Sequence, residues 1–441
     1  MIIPITPDTH GQIRNPVFAE YAAMYLGIYD RFMAQIGATG IEVDPQDYAE
    51  EVARRRERLR QKGAHVRNGG RSIYLNAISP ACVACKTGAG STTFFISLRC
   101  HRDCYYCFNP NQMDYEFHIS HTRDLVQELD ELAAQGQQME CLALTGGEPL
   151  LHKEEALAFF RHARKLFPDV HARLYTCGDY VDEPILQELQ AATLNEIRFS
   201  IRMHDSPKAR EHVLKRIELA RQYIPQVMVE MPVPPGTQDE MRALLLELNR
   251  IGIFSINLLE FCFPLFNAEE YNQRGYAVKT PPYRVTYNYW YAGGLPVAQS
   301  ELDSLELLEF ALDNGFKMGV HYCSLENKHT GQVYQQNHSG FAPEMALASK
   351  KDFFFKTAKV FGEDVPRVKK VLEKRKKAIY NYQKQFDCLE FRVRDIRALQ
   401  GLDVEIGIAT SILEQRGGET LTRELKMELT TPRLFNLEMD I

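Results

Sequence analysis

The chain has 441 residues, with 52 Lys and Arg against 58 Asp and Glu, for a formal charge of −6. At 45% hydrophobic and 25% charged it reads as a globular protein of roughly two or three domains, which excludes a disordered or fibrous chain. The balance also excludes a dedicated nucleic-acid or anionic-membrane binder, and no run of about 18 apolar residues offers a membrane span. The start, Met1 to Pro7, lacks the basic flank and apolar stretch of a signal peptide, so a cytoplasmic location is expected. Ten cysteines in such a chain point to metal ligands or catalytic thiols rather than a disulfide framework, and five of them fall between residues 82 and 107.

Residues 15–68 read as helical, apolar-periodic over Ala19–Phe32 and strongly charged over Tyr48–Lys62. Residues 69–91, rich in Gly and Ser, read as a loop carrying Cys82 and Cys85. From residue 92 strands alternate with helices. Strands are expected at Thr93–Leu98, Cys141–Thr145, His171–Thr176, Glu196–Ser200, Gln226–Met231 and Ser255–Glu260. The intervening helices are expected at Asp124–Gln135, Glu154–Leu166, Glu183–Ala191, Pro207–Gln222 and Gln238–Arg250. Such a series implies a parallel sheet with right-handed crossovers, an α/β partial barrel. Residues 261–300 break the rhythm with Tyr271, Tyr276, Tyr283, Tyr287, Tyr289, Trp290 and Tyr291, which suit a second hydrophobic core or a groove wall for an extended peptide. The alternation resumes with helix Ser304–Asn314 and strand Lys317–His321, running into Tyr322 and Cys323. Residues 344–386 read as helices with a basic stripe that includes Lys350, Lys351, Lys356, Lys359 and Lys369, a surface for an acidic leader. Residues 388–430 read as a small antiparallel β unit whose edge suits strand addition. The expected domains are 1–91, 92–330 and 331–441.

Cys100, Cys104 and Cys107 have the spacing C-x3-C-x2-C. Structural zinc favours C-x2-C pairs and four closed ligands, whereas three thiolates in one tight loop suit an iron–sulfur cluster with one iron left open. The loop follows the first barrel strand, at the C-terminal rim where such folds do chemistry. With Gly146-Gly147-Glu148-Pro149 ending the second strand, this pattern resembles the radical S-adenosylmethionine (SAM) superfamily over residues 92–262. The resemblance implies a [4Fe–4S] cluster whose open iron is chelated by SAM, and release of a 5′-deoxyadenosyl radical that abstracts a substrate hydrogen. It further implies SAM contacts from the Gly146–Pro149 segment, from Tyr106 against the adenine, from Ser200 and Arg202, and from the Glu230–Val233 region. An electron donor such as flavodoxin or ferredoxin is implied as well.

Cys82 and Cys85 form a C-x2-C pair that needs further ligands. Cys323 is the first candidate and Cys262 the second, with His321, His329 and Cys388 behind them. This arrangement is similar to radical SAM proteins related to pyruvate formate-lyase activase. It implies a second metal: zinc, mononuclear iron or an auxiliary cluster. Cys141 reads as a buried hydrophobe, while Cys177 at a strand end faces the rim.

Overall, the chain resembles maturases of ribosomally made peptides, among them the spliceases that excise tyramine from a backbone to leave an α-keto-β-amino acid. That likeness implies a precursor peptide or protein substrate and a small leader-recognition accessory protein. An activase that installs a glycyl radical on a partner enzyme is the alternative. A non-catalytic iron–sulfur module is a third reading, disfavoured by the intact cysteines and glycines.

Overall fold

The computed structural model describes residues 1–287, 293–338, 340 and 342–441. Its contacts divide the chain into two compact units: Gly40–Tyr283 with Tyr289–Gly331, and Met1–Thr39 with Arg284–Asn288 and Gln332–Ile441. The expected N-terminal domain 1–91 is therefore split, residues 1–39 joining the C-terminal unit and residues 40–91 the other.

The first unit is built on a nine-stranded sheet. In chain order its strands are β1 (His65–Arg67), β2 (Ser72–Leu75), β3 (Ser91–Phe95), β4 (Cys141–Thr145), β5 (His171–Thr176), β6 (Glu196–Phe199), β7 (Gln226–Val233), β8 (Ser255–Glu260) and β9 (Gly319–Cys323). Strands β3 to β8 pair in sequence, all parallel, and β9 continues the parallel run beside β8. Antiparallel β2 and β1 extend the far edge, and among the described residues no hydrogen-bonded ladder joins them back to β3. This is the expected partial (β/α) barrel. The expected loop 69–91 is corrected: it holds β2, which pairs with neighbouring β1 and with β9 some 250 residues away, and a short helix at Pro80–Ala84.

Local chemistry sets the helices between strands. Asp182 accepts the Ile185 N–H at the head of helix Glu183–Ala191, Ser206 caps Pro207–Ala220, and Gly252 at φ +77° ends Gln238–Ile251. One face of the sheet is apolar under these helices, with Leu142, Leu144, Leu174, Ile197, Phe199, Val229 and Ile256 fully buried. The other face carries Arg173, Glu196, Arg198, Glu230, Asn257 and His321 at alternate positions of neighbouring strands. Within the aromatic segment Tyr271 and Tyr283 are buried, so this part is core, with Tyr271 stacked 5.5 Å from Phe261. Tyr289, Trp290 and Tyr291 lie outside the described residues.

The second unit is a seven-stranded antiparallel sheet around the long hairpin Ile406–Arg416 and Glu419–Thr430, with Tyr380–Gln383 at one edge. The expected basic helices over 344–386 are corrected. Phe355–Phe361 is a central strand, and of the basic stripe only part lies on a helix, Asp364–Glu373. Lys356 and Lys359 are buried in the sheet, where they pair with Asp352 at 3.1 Å and Glu424 at 2.7 Å. They stabilise the core and present no docking face.

Candidate functional site

The segment after β3 carries the cysteine loop. Leu98 N–H donates to the His118 carbonyl and Arg123 N–H to that of Ile96, which extends the strand past Phe95. Within the loop, Cys107 N–H closes a turn on the Cys104 carbonyl at 2.9 Å. Cys100 is exposed and accepts the Arg102 N–H at 3.4 Å on its Sγ, while Cys104 and Cys107 are half-buried. Burial raises all three thiols, Cys104 to about 11, while the Arg202 guanidinium acts against the rise at Cys100 and Cys104. Left alone they are protonated at neutral pH, so a metal binding here displaces protons. Three thiols converging on one loop beside a cation fit an anionic iron–sulfur cluster.

The Gly146–Pro149 segment lies directly against this loop. Gly147 N–H donates to the Ser97 carbonyl at 3.1 Å and Glu148 N–H to that of Arg99 at 2.9 Å. A Cβ on Gly147 would fall 1.9 Å from the Arg99 carbonyl oxygen, and Gly146 sits at φ +111°. The two glycines let the segment and the cysteine loop touch backbone to backbone. Asn109 Nδ2 ties the two together by donating to the Gly146 carbonyl at 2.8 Å. The buried Glu148 carboxylate is taken up by protein donors: Leu150 N–H, Thr176 Oγ1 and Cys177 N–H.

Tyr106 packs edge-on to Phe261 and His204, and Cys104 adds to the rise in its hydroxyl's pKa that burial causes. Ser200 is half-buried and donates its N–H to the Thr176 carbonyl at 3.0 Å. Arg202 is buried and its Nε donates to Asp205 at 2.9 Å. Pro149 is buried at the start of a short helical turn. Glu230, expected near an adenine, instead accepts from Asn257 at 2.6 Å and from Arg198.

Sequence reasoning missed a clamp at the base of the loop. Asp179 accepts from Arg102 Nε at 2.7 Å and Nη2 at 2.6 Å, and pairs with His101 Nε2 at 2.7 Å. The Cys177 thiol donates to the same carboxylate at 3.2 Å, and these partners hold it at about 2 against the effect of burial. The signal was present: two basic residues between cluster cysteines need a counter-ion, and Asp179 follows a strand end.

A second set of thiols lies on the polar face of the sheet. Ser79 caps helix Pro80–Ala84 and donates to Glu196 at 2.5 Å, which places Cys82 at Arg198 and Asn257. Cys85 and Cys323 lie within electrostatic reach of each other and of Cys82. The Cys262 thiol donates to the Gly293 carbonyl at 3.8 Å and lies within electrostatic reach of Lys328 and Glu260 as well as of Cys107. His321 is bound at both ring nitrogens, to Asn257 Oδ1 and Ser72 Oγ, each at 2.9 Å. Because Asn257 Nδ2 donates elsewhere, its Oδ1 accepts the His321 Nδ1–H and Nε2 accepts from Ser72. Burial and the nearby Arg198 push this imidazole down to about 3. Cys141 is buried in β4 as expected, and Cys388 is buried in the other unit.

Residues 94–248 match the Radical SAM superfamily. Among curated proteins, the chain is 29% identical over 211 residues to a Methanocaldococcus jannaschii protein that carries the provisional name of glycyl-radical enzyme activating enzyme. That match covers 46% of this chain and 56% of the relative. It is 32% identical over 113 residues to the (2S)-3-sulfopropanediol sulfolyase activating enzyme of Bilophila wadsworthia, over 24% of this chain and 36% of that one. The chain thus spans about half or less of the length of these relatives. Among solved structures it is similar to Streptococcus suis SuiB bound to its precursor peptide SuiA, at 11% identity and a TM-score of 0.39, covering 68% of this chain and 59% of that one. No helix among the described residues is long and apolar enough to cross a membrane.

Proposed function

On the match of residues 94–248 to the radical SAM superfamily, we propose a radical SAM enzyme that abstracts hydrogen from a polypeptide substrate. The observation that carries this reading is the convergence of Cys100, Cys104 and Cys107 with the Gly146–Pro149 segment and Arg202 at one end of the parallel strands. When bound, a [4Fe–4S] cluster and SAM supply reductive sulfonium cleavage, the hard chemical step. The chain's own residues do the rest. The cysteines hold the cluster, the Asp179 clamp fixes their loop, and Arg202 offsets thiolate charge. Tyr106, Ser200 and the backbone of Gly146–Pro149 are the candidate SAM contacts, and Cys82, Cys85 and Cys323 form a second metal site.

The finer reading is maturation of a ribosomally made peptide, including tyramine excision. A leader would add to the sheet edge at Tyr380–Gln383, and a small accessory protein and a flavodoxin or ferredoxin donor would complete the system. A second reading, activation of a glycyl radical enzyme, is favoured by the names of the two curated relatives.

The test is anaerobic reconstitution with SAM and a strong reductant. 5′-Deoxyadenosine is expected from the wild type and none from Cys104→Ala; no cleavage by the wild type defeats the enzyme reading. Deuterium carried from a labelled substrate into 5′-deoxyadenosine then separates the readings. Transfer from a short peptide supports maturation, while transfer from a large enzyme that keeps a persistent glycyl radical supports activation.

A further inference from the structure

We infer that the basic head of the Tyr380–Gln383 edge strand is a docking surface for an acidic, extended segment of the polypeptide substrate. The inference rests on the polypeptide reading above, and every residue it uses lies in the second unit.

Residues 367–397 hold eleven Lys and Arg against four Asp and Glu, a surplus of seven positive charges in a chain whose total is −6. The fold draws this charge to one place. Helix Asp364–Glu373 ends in a turn over residues 374–377 that leads into the edge strand. That strand pairs with Cys388–Phe391, Tyr380 opposite Phe391, so Arg392 emerges at the same end as the lysine turn. Arg392 Nη2 donates to the Lys377 carbonyl and its Nε to Asp395 at 3.2 Å, while Arg375 Nε meets the same carboxylate at 3.5 Å. Buried Asp395 thus ties the two basic segments together.

The four carboxylates do not neutralise the patch. Asp395 is taken up by those two guanidiniums. Glu390 accepts from Thr357 Oγ1 at 2.6 Å and from Gln383 Nε2 at 2.8 Å, and Asp387 accepts the Tyr382 hydroxyl at 2.7 Å. Glu373 lies 3.9 Å from Lys369. Lys374, Lys376, Lys377, Arg394 and Arg397 are all exposed, and none forms an ion pair among the described residues. Exposed like charges repel over a screening length of about 8 Å at physiological salt, so an anionic partner is favoured here.

The strand selects the kind of anion. Its outer edge pairs with no strand among the described residues, so its main chain can extend the sheet by one more strand. Lysine beside an edge ordinarily blocks indiscriminate pairing. The same charges act as a filter, opposing a neutral or basic strand and favouring one that bears Asp or Glu. Four residues of pairing make a short contact, and charge carries it past the strand onto the turn. A nucleic acid or a lipid surface would engage the cations and leave the edge unused. A segment held here tethers the rest of the substrate to the enzyme.

The experiment measures fluorescence anisotropy of labelled peptides on the reconstituted full-length chain. The probe peptide alternates Glu with Val and Thr; its controls replace every Glu by Gln or by Lys, or methylate the backbone nitrogens. The Glu peptide should bind, more weakly as salt rises. The Gln peptide should bind about tenfold more weakly, since a few exposed ion pairs together supply that factor. The methylated Glu peptide keeps its charge but not its strand hydrogen bonds, and should also weaken about tenfold. Lys374→Glu, Lys376→Glu and Lys377→Glu together should weaken the Glu peptide about tenfold or more and strengthen the Lys peptide. Equal binding of the Glu and Gln peptides overturns the docking surface, as does undiminished binding of the methylated peptide. Duplex DNA or phosphatidylserine vesicles bound as tightly as the Glu peptide at the same salt would mark a general polyanion surface and overturn it too. The peptide series on the wild type stands even where the triple variant fails to fold. Failure of the polypeptide reading appears separately, as no deuterium transfer from any polypeptide, so the two failures are distinguishable.

Discussion

Gly147→Ala isolates the requirement that the Gly-Gly-Glu-Pro segment and the cysteine loop touch. The added methyl would sit 1.9 Å from the Arg99 carbonyl oxygen, 2.4 Å from its carbon and 2.7 Å from the Leu98 carbonyl carbon. Carbon contacts are optimal near 3.5 Å, so the Arg99 backbone must retreat by about 1.5 Å. All the obstructing atoms are backbone, which cannot rotate aside as a side chain would. Overpacking of this kind costs about 1–3 kcal/mol. The retreat also breaks the Gly147–Ser97 and Glu148–Arg99 hydrogen bonds, at about 1 kcal/mol each. The expected loss is about 3–5 kcal/mol, read by denaturant unfolding under anaerobic conditions. Arg99 precedes Cys100, so retained iron and 5′-deoxyadenosine yield should fall together. Gly401→Ala is the control, since its added Cβ meets nothing within 4 Å, and it should change stability by no more than about 0.5 kcal/mol. Wild-type stability and iron content in Gly147→Ala would refute the close-packing argument.

Asp179→Asn removes the carboxylate that Arg102 and His101 share, and should cost about 1–3 kcal/mol while the chain loses iron faster on dilution; iron release at the wild-type rate would show that the clamp does not hold the loop. Burial alone would raise Glu196, but the Arg198 charge beside it, with hydrogen bonds from His171 and Ser79, holds it down at about 2. A depressed carboxyl stabilises the fold above its unfolded value near 4.5, and this is lost as pH falls toward 2. The urea midpoint should therefore drop more steeply over that window in the wild type than in Glu196→Gln, by about 3 kcal/mol in all, and parallel profiles would contradict the assignment. Lys359→Ala strands Glu424 beside Tyr21 and Tyr25 and should destabilise by about 3 kcal/mol, whereas Lys369→Ala on the solvated helix should stay within about 0.5 kcal/mol. Equal effects would restore Lys359 to a surface role.

The alternation of strands and helices was legible because each step carries its own local signals. β4, β5, β8 and helix Glu183–Ala191 have the boundaries their apolar runs and caps predict. The cysteine loop and its glycine partner were legible for the same reason, since spacing within a loop and the absence of a Cβ are local properties. The stretch 344–386 was misread through a local signal with a non-local answer. Asp352 and Lys356 stand at the i, i+4 spacing of a helical ion pair, and they do pair, across a turn that leads into strand Phe355–Phe361. Lys359 finds Glu424 only because the strands assemble. Strand β2 escaped because only half of its pairing is local: β1 just before it pairs with one edge, and the other edge finds β9 some 250 residues on.

The polar face of the sheet shows how far such non-local pairing reaches into function. Parallel sheets covered on both faces read as apolar runs, yet β5 carries Arg173, β6 carries Glu196 and Arg198, and β7 carries Glu230. In sequence these look like isolated charges in otherwise apolar strands. Register turns them into neighbours: Arg173 lies beside Glu196, Glu230 beside Asn257, and Asn257 beside His321. Burying such a chain is costly unless every member is satisfied. Ser72, His321, Asn257, Glu230, Arg198 and Glu196 satisfy one another in order, while Arg173 shares the Glu196 charge and keeps its Nε and Nη1 without a hydrogen-bond partner. Glu196 stands between two guanidiniums, and Cys82 and Cys85 lie against a charge network that only the register of the strands assembles.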